Sequence, residues 1–364
     1  MMRVGVPKEI KNHEYRVGLT PASVRELKNM GVDINVQRSA GDGSFYSDAA
    51  YEAAGANILE KAEDIYELSD LIVKVKEPLA EERRLLRKNQ ILFTFLHLAP
   101  DPEQARDLID SGATCIAYET VVDAHGGLPL LAPMSEIAGC MSTQVGACHL
   151  ERSKGGRGVL LGGSTGVVPA NVMIIGGGIA GTNAARIALG MGADVTIFEK
   201  SLPRMRNLIE IFDSRVKTQF STVDSIEENL KQADLVIGAV LVPGDKAPKI
   251  VTKEMLALMK PGAVIVDIAI DQGGCFATSR PTSHQQPTYE VDGIIHYCVT
   301  NMPGGAPQTA TAALNAATFP FVSALATQGL DKSLDLVGGL REGVNVHAGE
   351  VVHPVVASSL GFTH

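Results

Sequence analysis

The chain has no excess of positive charge, no paired cysteines, no leader-like segment and no unbroken apolar run, and each absence excludes something. Its 32 Lys and Arg stand against 41 Asp and Glu, a formal net charge of −9. That argues against a general nucleic-acid or acidic-membrane surface, while leaving local cations able to hold one anionic ligand. The five cysteines, at 115, 140, 148, 275 and 298, form no CxxC pair. An odd count fits reduced thiols in a cytosolic protein and lends a metal site no support. The opening MMRVGVPKEI reads as a strand and not as a signal-peptide core, so a cytoplasmic location is expected. Residues 158–185 and 293–330 carry no Asp, Glu, Lys or Arg, but Pro, Gly, Asn and Thr interrupt both, so neither reads as a membrane span. A Walker-type Gly-Lys-Ser/Thr is absent, which argues against a nucleotide triphosphate site. No internal repeat of 20 to 50 residues is visible beyond a shared βαβ pattern.

What is present is enough apolar material for two cores: 45% of 364 residues. The organising stretch is Asn171 to Lys200, NVMIIGGGIAGTNAARIALGMGADVTIFEK, a complete strand–turn–helix–strand unit. Apolar Val172 to Ile175 runs into Gly176-x-Gly178-x-x-Gly181, and Asn183 to Met191 follows with helical spacing. The first glycine permits the tight turn, the second lets backbone approach a pyrophosphate, and the third lets helix and strand pack closely. A second strand, Val195 to Phe198, ends in Glu199, 18 residues past Gly181. That carboxylate suits a ribose 2′-OH and repels a 2′-phosphate, which favours NAD over NADP. Lys200, Arg204 and Arg206 lie just beyond and leave NADP disfavoured but not excluded.

Before this unit the chain repeats strand, loop and amphipathic helix. Thr20-Pro21 starts one helix, with Thr20 as N-cap, Pro21 at the first position and Val24, Leu27 and Met30 facing inward. Strands are expected at Val32–Gln37, Leu71–Lys76, Ile91–Phe95 and Cys115–Tyr118, with helices at Ala80–Arg87 and Pro102–Ser111. A loop with Gly126, Gly127 and Pro129 leads to a long helix, Ser135–Ser153, where the chain crosses between domains. Further strands are expected near Val216–Phe220, Leu235–Val240, Val264–Ile268 and Ile294–Val299. The Ala- and Thr-rich Gln308–Ala326 and the tail read as mostly helical and too small to fold alone, so they are expected to complete the first domain. The expected architecture is α/β, with two doubly wound, Rossmann-like parallel sheets and an interdomain cleft. Residues 1–134 and 303–364 would form a catalytic domain, into which an NAD domain, 135–302, is inserted.

Ligands of open α/β sheets bind beyond the carboxyl ends of strands, so polar residues there rank first. Lys76 ends LIVKVK, His97 follows QILFTFL, Asp271 follows VIVDIAI, and Arg16 lies in the loop after the first strand. Together they offer two cations for a carboxylate, an acid–base group and a carboxylate beside the nicotinamide. Each has a plainer reading: a satisfied buried histidine for His97, a solvent-facing edge for Lys76, a charged surface run for Arg16, and a turn residue before Gln272-Gly273-Gly274 for Asp271. Glu119 and Asp123 follow another strand as supporting candidates, and Met134 reads as packing or a pocket wall.

The segments GVPKEIKNHEYRVGLTP, LIVKVKEP, LFTFLHLA, LPLLAPMSEIAG, LVIGAVLVPG, KPGAVIVDIAIDQGGCF and YCVTNMPG resemble the alanine dehydrogenase and pyridine-nucleotide transhydrogenase family nearly end to end. The resemblance implies two Rossmann-like domains and reversible NAD-dependent oxidative deamination of L-alanine to pyruvate and ammonium. Arg16 and Lys76 would bind the carboxylate and carbonyl of pyruvate, His97 would be the acid–base residue, and Asp271 would lie next to the nicotinamide. It further implies NAD contacts from Ser135, from Ile179 and Ala180 in the glycine turn, and from Glu199, Arg204, Ser221, Val240, Leu241, Ile268, Arg280, Val299, Asn301 and Met302. A homohexamer is implied as well. Two departures stand out: Glu199 where Asp is common, and Gly177 in place of a frequent Ala. Two related functions share much of this pattern, the NAD(H)-binding component of a proton-translocating transhydrogenase and a saccharopine-type amino-acid dehydrogenase. The FLHLA histidine and the SRPT segment after Asp271 favour alanine.

Overall fold

The computed structural model describes residues 1–240 and 247–361. The chain divides into two compact units, Met1–Met134 with Gly304–His364, and Ser135–Pro303. The second unit is therefore an insertion in the first.

The first unit begins with β1 (Val4–Val6), β2 (Ile34–Gln37), β3 (Asn57–Leu59), β4 (Leu71–Val73), β5 (Ile91–Thr94) and β6 (Thr114–Ala117), which pair in parallel in the order β3-β2-β1-β4-β5-β6. Crossover helices separate them. The helix Pro21–Asn29 starts as its sequence dictates: Thr20 accepts from the Ser23 N–H at 3.3 Å and Pro21 occupies the first turn, while Val24 and Leu27 are buried. Pro102–Ser111 likewise begins on an Asp101 cap and ends at left-handed Gly112.

The inserted unit holds β7 (Asn171–Ile175), β8 (Asp194–Glu199), β9 (Lys217–Phe220), β10 (Leu235–Gly238), β11 (Val264–Asp267), β12 (Thr288–Val291) and β13 (Ile294–Tyr297), in the order β12-β13-β11-β10-β7-β8-β9. Its central strands are apolar on both faces. Val172, Ile174, Val195, Ile197, Leu235 and Ile237 pack into one buried cluster, and Met173, Ile175, Phe198, Val236 and Ile265 into another. A strand buried on both faces needs helices on both sides, which is the doubly wound solution.

The chain then returns to the first unit through the helix Pro307–Gln328, β14 (Val344–His347) and β15 (Glu350–Val351). Among the described residues that helix alone is long and apolar enough to cross a membrane by length and composition. Here it serves as a core helix. Thr311, Asn315 and Thr318 are buried, and Asn315 Oδ1 accepts from the Thr20 N–H at 3.0 Å and the Thr20 hydroxyl at 2.8 Å.

Several expectations need correction. The sheets are not wholly parallel: β14 runs antiparallel to β6 and β15, and β12 antiparallel to β13. The β12–β13 hairpin turns at Asp292 (φ 50°) and Gly293 (φ 80°), the positive-φ pair that a tight two-residue turn requires. The C-terminal remainder is mostly helical, as expected, in Pro307–Gln328, Leu330–Leu336 and Pro354–Leu360, and adds the two short strands β14 and β15. The expected strand Leu71–Lys76 is regular only through Val73, although Lys74 N–H still donates to the Phe93 carbonyl at 3.1 Å and Phe95 N–H to the Val75 carbonyl at 3.2 Å. The long helix spans Ala132–His149, with a separate 3-10 turn at Arg152–Lys154, and the helix expected over Ala80–Arg87 keeps its α form only through Arg83.

Candidate active site

In each sheet the strand order reverses at the first strand of the unit, between β1 and β4 in the first unit and between β7 and β10 in the second. Such switch points leave an open crevice beyond the strand ends. Arg16, Lys76 and His97 follow β1, β4 and β5 in the first unit, while the glycine turn and Val240 follow β7 and β10 in the second.

Arg16 is not a surface residue. It is 2% exposed, and its Nε and Nη2 each donate at 2.6 Å to the two carboxylate oxygens of Glu14. This two-pronged pair holds the guanidinium plane, and Nη1 lies 3.0 Å from Met134 Sδ. Met134 is thus a neighbour of the cation and not mere filler. Glu14 was missed by the sequence reading, although its position two residues before Arg16 was the available signal.

Lys76 is partly buried and directly follows a buried ion cluster. Lys74 Nζ lies 3.2 Å from Glu9 Oε2 and 2.6 Å from Glu82 Oε1, with all three side chains buried. Glu9 Oε1 also accepts from the Val75 N–H at 2.7 Å, and Thr94 donates to the Lys76 carbonyl at 2.9 Å. The segment that carries Lys76 is therefore pinned from two sides. Glu77 follows it: burial works against its charge, but Lys76 and Lys11 prevail and hold its carboxyl below the usual carboxylate range. Glu9, Lys74 and Glu82 were also missed, since a lysine inside an alternating strand pattern reads as a solvent-facing residue.

His97 is not a buried, satisfied histidine, since its side chain is 46% exposed. Its backbone is left-handed, φ 49°, a conformation costly for a residue with a Cβ and characteristic of constrained sites. Glu119 offsets the cost: its carboxylate accepts the N–H of His97 at 2.6 Å and that of Leu96 at 3.2 Å. The imidazole stacks on Phe95, ring centroids 5.8 Å apart and planes 4° from parallel. Asp123, the other supporting candidate, instead closes its own turn by accepting from His125 and Gly127, each at 2.8 Å.

In the inserted unit the glycine turn has the geometry of a nucleotide cradle. Gly176 has φ 103°, Gly178 caps the helix Ile179–Gly190 without any side-chain cap, and a Cβ at Gly181 would lie 1.9 Å from the Gly176 carbonyl oxygen. Around Gly178 the space is open, with nothing within 4 Å of the position a Cβ would take. The uncapped N–H groups therefore face room for an anion. Glu199 closes the far side: Oε2 accepts from Gly177 N–H at 3.0 Å, and Oε1 accepts from Lys200 and Ser201 N–H at 2.7 and 3.0 Å. Arg204 donates from Nε to the Gly177 carbonyl at 2.6 Å and from Nη2 to Thr182 at 2.7 Å. These residues fit a dinucleotide with a free ribose diol.

The remaining positions are placed as follows. Ser135 lies in the first turn of the helix Ala132–His149, whose Gly139 packs against the Ala180 carbonyl. Ser221 follows β9 and donates its N–H to the Glu199 carbonyl at 3.0 Å. Val240 flanks Gly176, whereas Leu241 lies outside the described residues. Ile268 and exposed Asp271 share the 3-10 segment after β11, and Val299, Asn301 and Met302 follow β13, Asn301 at φ 57°. Arg280 is not seen against the glycine turn; its guanidinium carbon lies 4.0 Å from the Tyr289 ring centroid.

The chain matches the family models described as alanine dehydrogenase/PNT, N-terminal domain, over residues 5–138, and alanine dehydrogenase/PNT, C-terminal domain, over residues 142–354. It is 54% identical to an alanine dehydrogenase of Halomonas elongata, covering 100% of this chain and 98% of that protein, and 52% identical to one of Mycobacterium tuberculosis, covering 99% and 97%. A solved L-alanine dehydrogenase superposes with a TM-score of 0.96 at 51% identity, covering 99% of each chain. A transhydrogenase from Sinorhizobium meliloti superposes at 0.83 with 26% identity, covering 96% of this chain and 99% of that one. By both halves and over its whole length, the chain belongs to the alanine dehydrogenase/PNT family.

Proposed function

We propose that this protein catalyses the reversible NAD-dependent oxidative deamination of L-alanine to pyruvate and ammonium. The observation that carries this reading is the full-length likeness to alanine dehydrogenases, at 54% identity, in a chain that keeps Arg16, Lys76, His97 and Asp271. The transhydrogenase likeness, at 26% identity, is far weaker. NAD supplies the hydride acceptor when bound.

Arg16, held in plane by Glu14, presents a fork to the substrate carboxylate, while Lys76 supplies a point charge that polarises the substrate carbonyl. His97 takes and returns protons as water adds to the substrate carbon and ammonia leaves. A positioned acid–base group of this kind is typically worth about 10²–10⁴-fold in rate. Asp271 orients water or ammonia and offsets positive charge on the substrate nitrogen. Glu199 accepts from the adenosine ribose and selects NAD over NADP.

We assign the protein to the cytoplasm, in amino-acid catabolism, as a homohexamer. Support for subunit contacts comes from exposed apolar side chains near the start of the inserted unit: Leu160, Val167 and Val168 are 68%, 62% and 83% exposed. A monomer by light scattering at micromolar concentration would contradict the hexamer. The reaction itself is tested by mixing protein, NAD and L-alanine at alkaline pH and following NADH absorbance, with NADP and other amino acids in parallel. NADH formed with alanine supports the reading, and silence despite NADH binding sinks it.

A further inference from the structure

The 3-10 turn that carries Asp271, Ile268–Gln272, is held from both ends by one buried carboxylate. Asp267 is fully buried. Its Oδ1 accepts from Ala269 N–H at 3.1 Å, before Asp271, and its Oδ2 accepts from Cys275 N–H at 3.0 Å, after it. Ser279 Oγ donates to Oδ2 at 2.6 Å, one residue before Arg280. The fold leaves room for this carboxylate: a Cβ at Gly274 would lie 2.4 Å from Oδ2, and one at Gly238 would lie 2.3 Å from Cys275 Sγ.

A second charge grips, by its carbonyls, the segment that leaves the turn. Lys249 Nζ donates to the carbonyl oxygens of Gly273, Gly274 and Phe276 at 2.5, 2.8 and 3.2 Å. A carboxylate only accepts and an ammonium only donates. Together they orient the peptides at the ends of the turn: the N–H groups of Ala269 and Cys275 toward Asp267, and the carbonyls of Gly273, Gly274 and Phe276 toward Lys249. Backbone bonds from Ala247 N–H to the Gln272 carbonyl and from Gly274 N–H to the Ala269 carbonyl complete the frame.

We propose that Asp267 and Lys249 are positioning residues for the reaction, a paired anion and cation that hold the turn bearing Asp271 in its working orientation. The proposal rests on the role given to Asp271 above. Neither residue touches substrate in this scheme; each acts through the turn.

The test compares Lys249→Met, Lys249→Arg, Asp267→Asn, Asp271→Asn and the double variant Lys249→Met/Asp271→Asn. Lys249 lies at the surface end of the clamp, so its variants keep the fold even where Asp267→Asn, which sets an amide N–H against a ring of donors, does not. Lys249→Met is expected to lower kcat about tenfold or more, with the NADH dissociation constant by fluorescence within about twofold of wild type, and Lys249→Arg to recover most of the loss. In nucleotide-free protein, amide hydrogen exchange should quicken over residues 268–276 and not elsewhere. Because Lys249 acts through Asp271, the double variant should be no slower than Asp271→Asn alone. Additive losses, or wild-type kcat and exchange in Lys249→Met beside a slow Asp271→Asn, would overturn the clamp and leave the role of Asp271 standing. Wild-type turnover in Asp271→Asn would overturn that role and the clamp with it.

Discussion

The main-chain N–H of His97 donates to Glu119 Oε1 at 2.6 Å, and the His97 Nδ1 lies 3.9 Å from that same oxygen. One carboxylate thus sets both the strained backbone of the histidine and the charge nearest its ring. Removing its side chain in Glu119→Ala orphans the N–H groups of Leu96 and His97 and releases a left-handed residue whose strain is worth about 1–3 kcal/mol. We expect turnover to fall at least about tenfold with NADH affinity unchanged. Steady-state kinetics beside a fluorescence titration checks this, and an unaltered kcat would refute it.

Arg16 and Glu14 form a buried pair, 2% and 0% exposed at their side chains. Arg16→Met removes the cation from buried Glu14, and breaking a buried pair in this way costs about 3–5 kcal/mol. Arg16→Lys keeps the charge but not the fork, so its effect should fall on the pyruvate KM, raised about tenfold or more, and less on folding. Denaturant unfolding and initial rates with pyruvate separate the two effects. Equal pyruvate KM values in Arg16→Lys and wild type would contradict the assigned role.

The glycines of the turn should divide by what surrounds them. A Cβ at Gly181 collides with the Gly176 carbonyl, whereas a Cβ at Gly178 meets only open space. Gly181→Ala should therefore lower Tm and weaken NADH together. Gly178→Ala should leave Tm within about 2 °C, the scale of a change well under 1 kcal/mol, yet weaken NADH about tenfold or more by filling the space the pyrophosphate needs. Calorimetry and titration decide it; retained affinity in Gly178→Ala would place the cofactor elsewhere.

Burial pushes the His296 imidazole below its ordinary value of 6.5, only partly offset by its bond to the Ile294 carbonyl. Nδ1 lies 3.0 Å from that carbonyl and so carries the proton, and Nε2 accepts from Thr278 at 2.8 Å. With the folded pKa depressed, the unfolded chain takes up the proton first. The stabilisation is whole above about pH 6.5 and is lost as pH falls from there through the folded value. His353 is pushed down by burial too and adds in the same direction. Unfolding free energies at pH 7.5 and 5.5 should differ less in His296→Gln than in wild type, and an equal slope would exclude His296 as a source.

Much of this protein was legible where the deciding interactions are local. The unit Asn171–Lys200 declares itself because the turn, the helix start and the acid at the next strand end lie within a few residues of one another, and glycine spacing and strand periodicity record them directly. The helix Pro21–Asn29 declares itself through Thr20 and Pro21 for the same reason. The Asp292-Gly293 turn was equally local and passed over, because a short edge strand such as Thr288–Val291 is too polar to stand out. The roles of Lys74 and Lys76 belonged to the tertiary structure. In LIVKVK the two lysines look alike, and only the arrival of Glu9 from after β1 and Glu82 from a later helix buries one as an ion-pair centre and leaves the other at the strand end. The return of β14 to pair with β6 is of the same kind. Sequence by itself determined where strands, turns and the dinucleotide cradle would form, because backbone sterics and side-chain periodicity act over a few residues. Which lysine is buried in an ion cluster was settled only when folding brought distant carboxylates within hydrogen-bond reach, since a buried charge is stable only beside a partner, and here the chain supplies it from elsewhere.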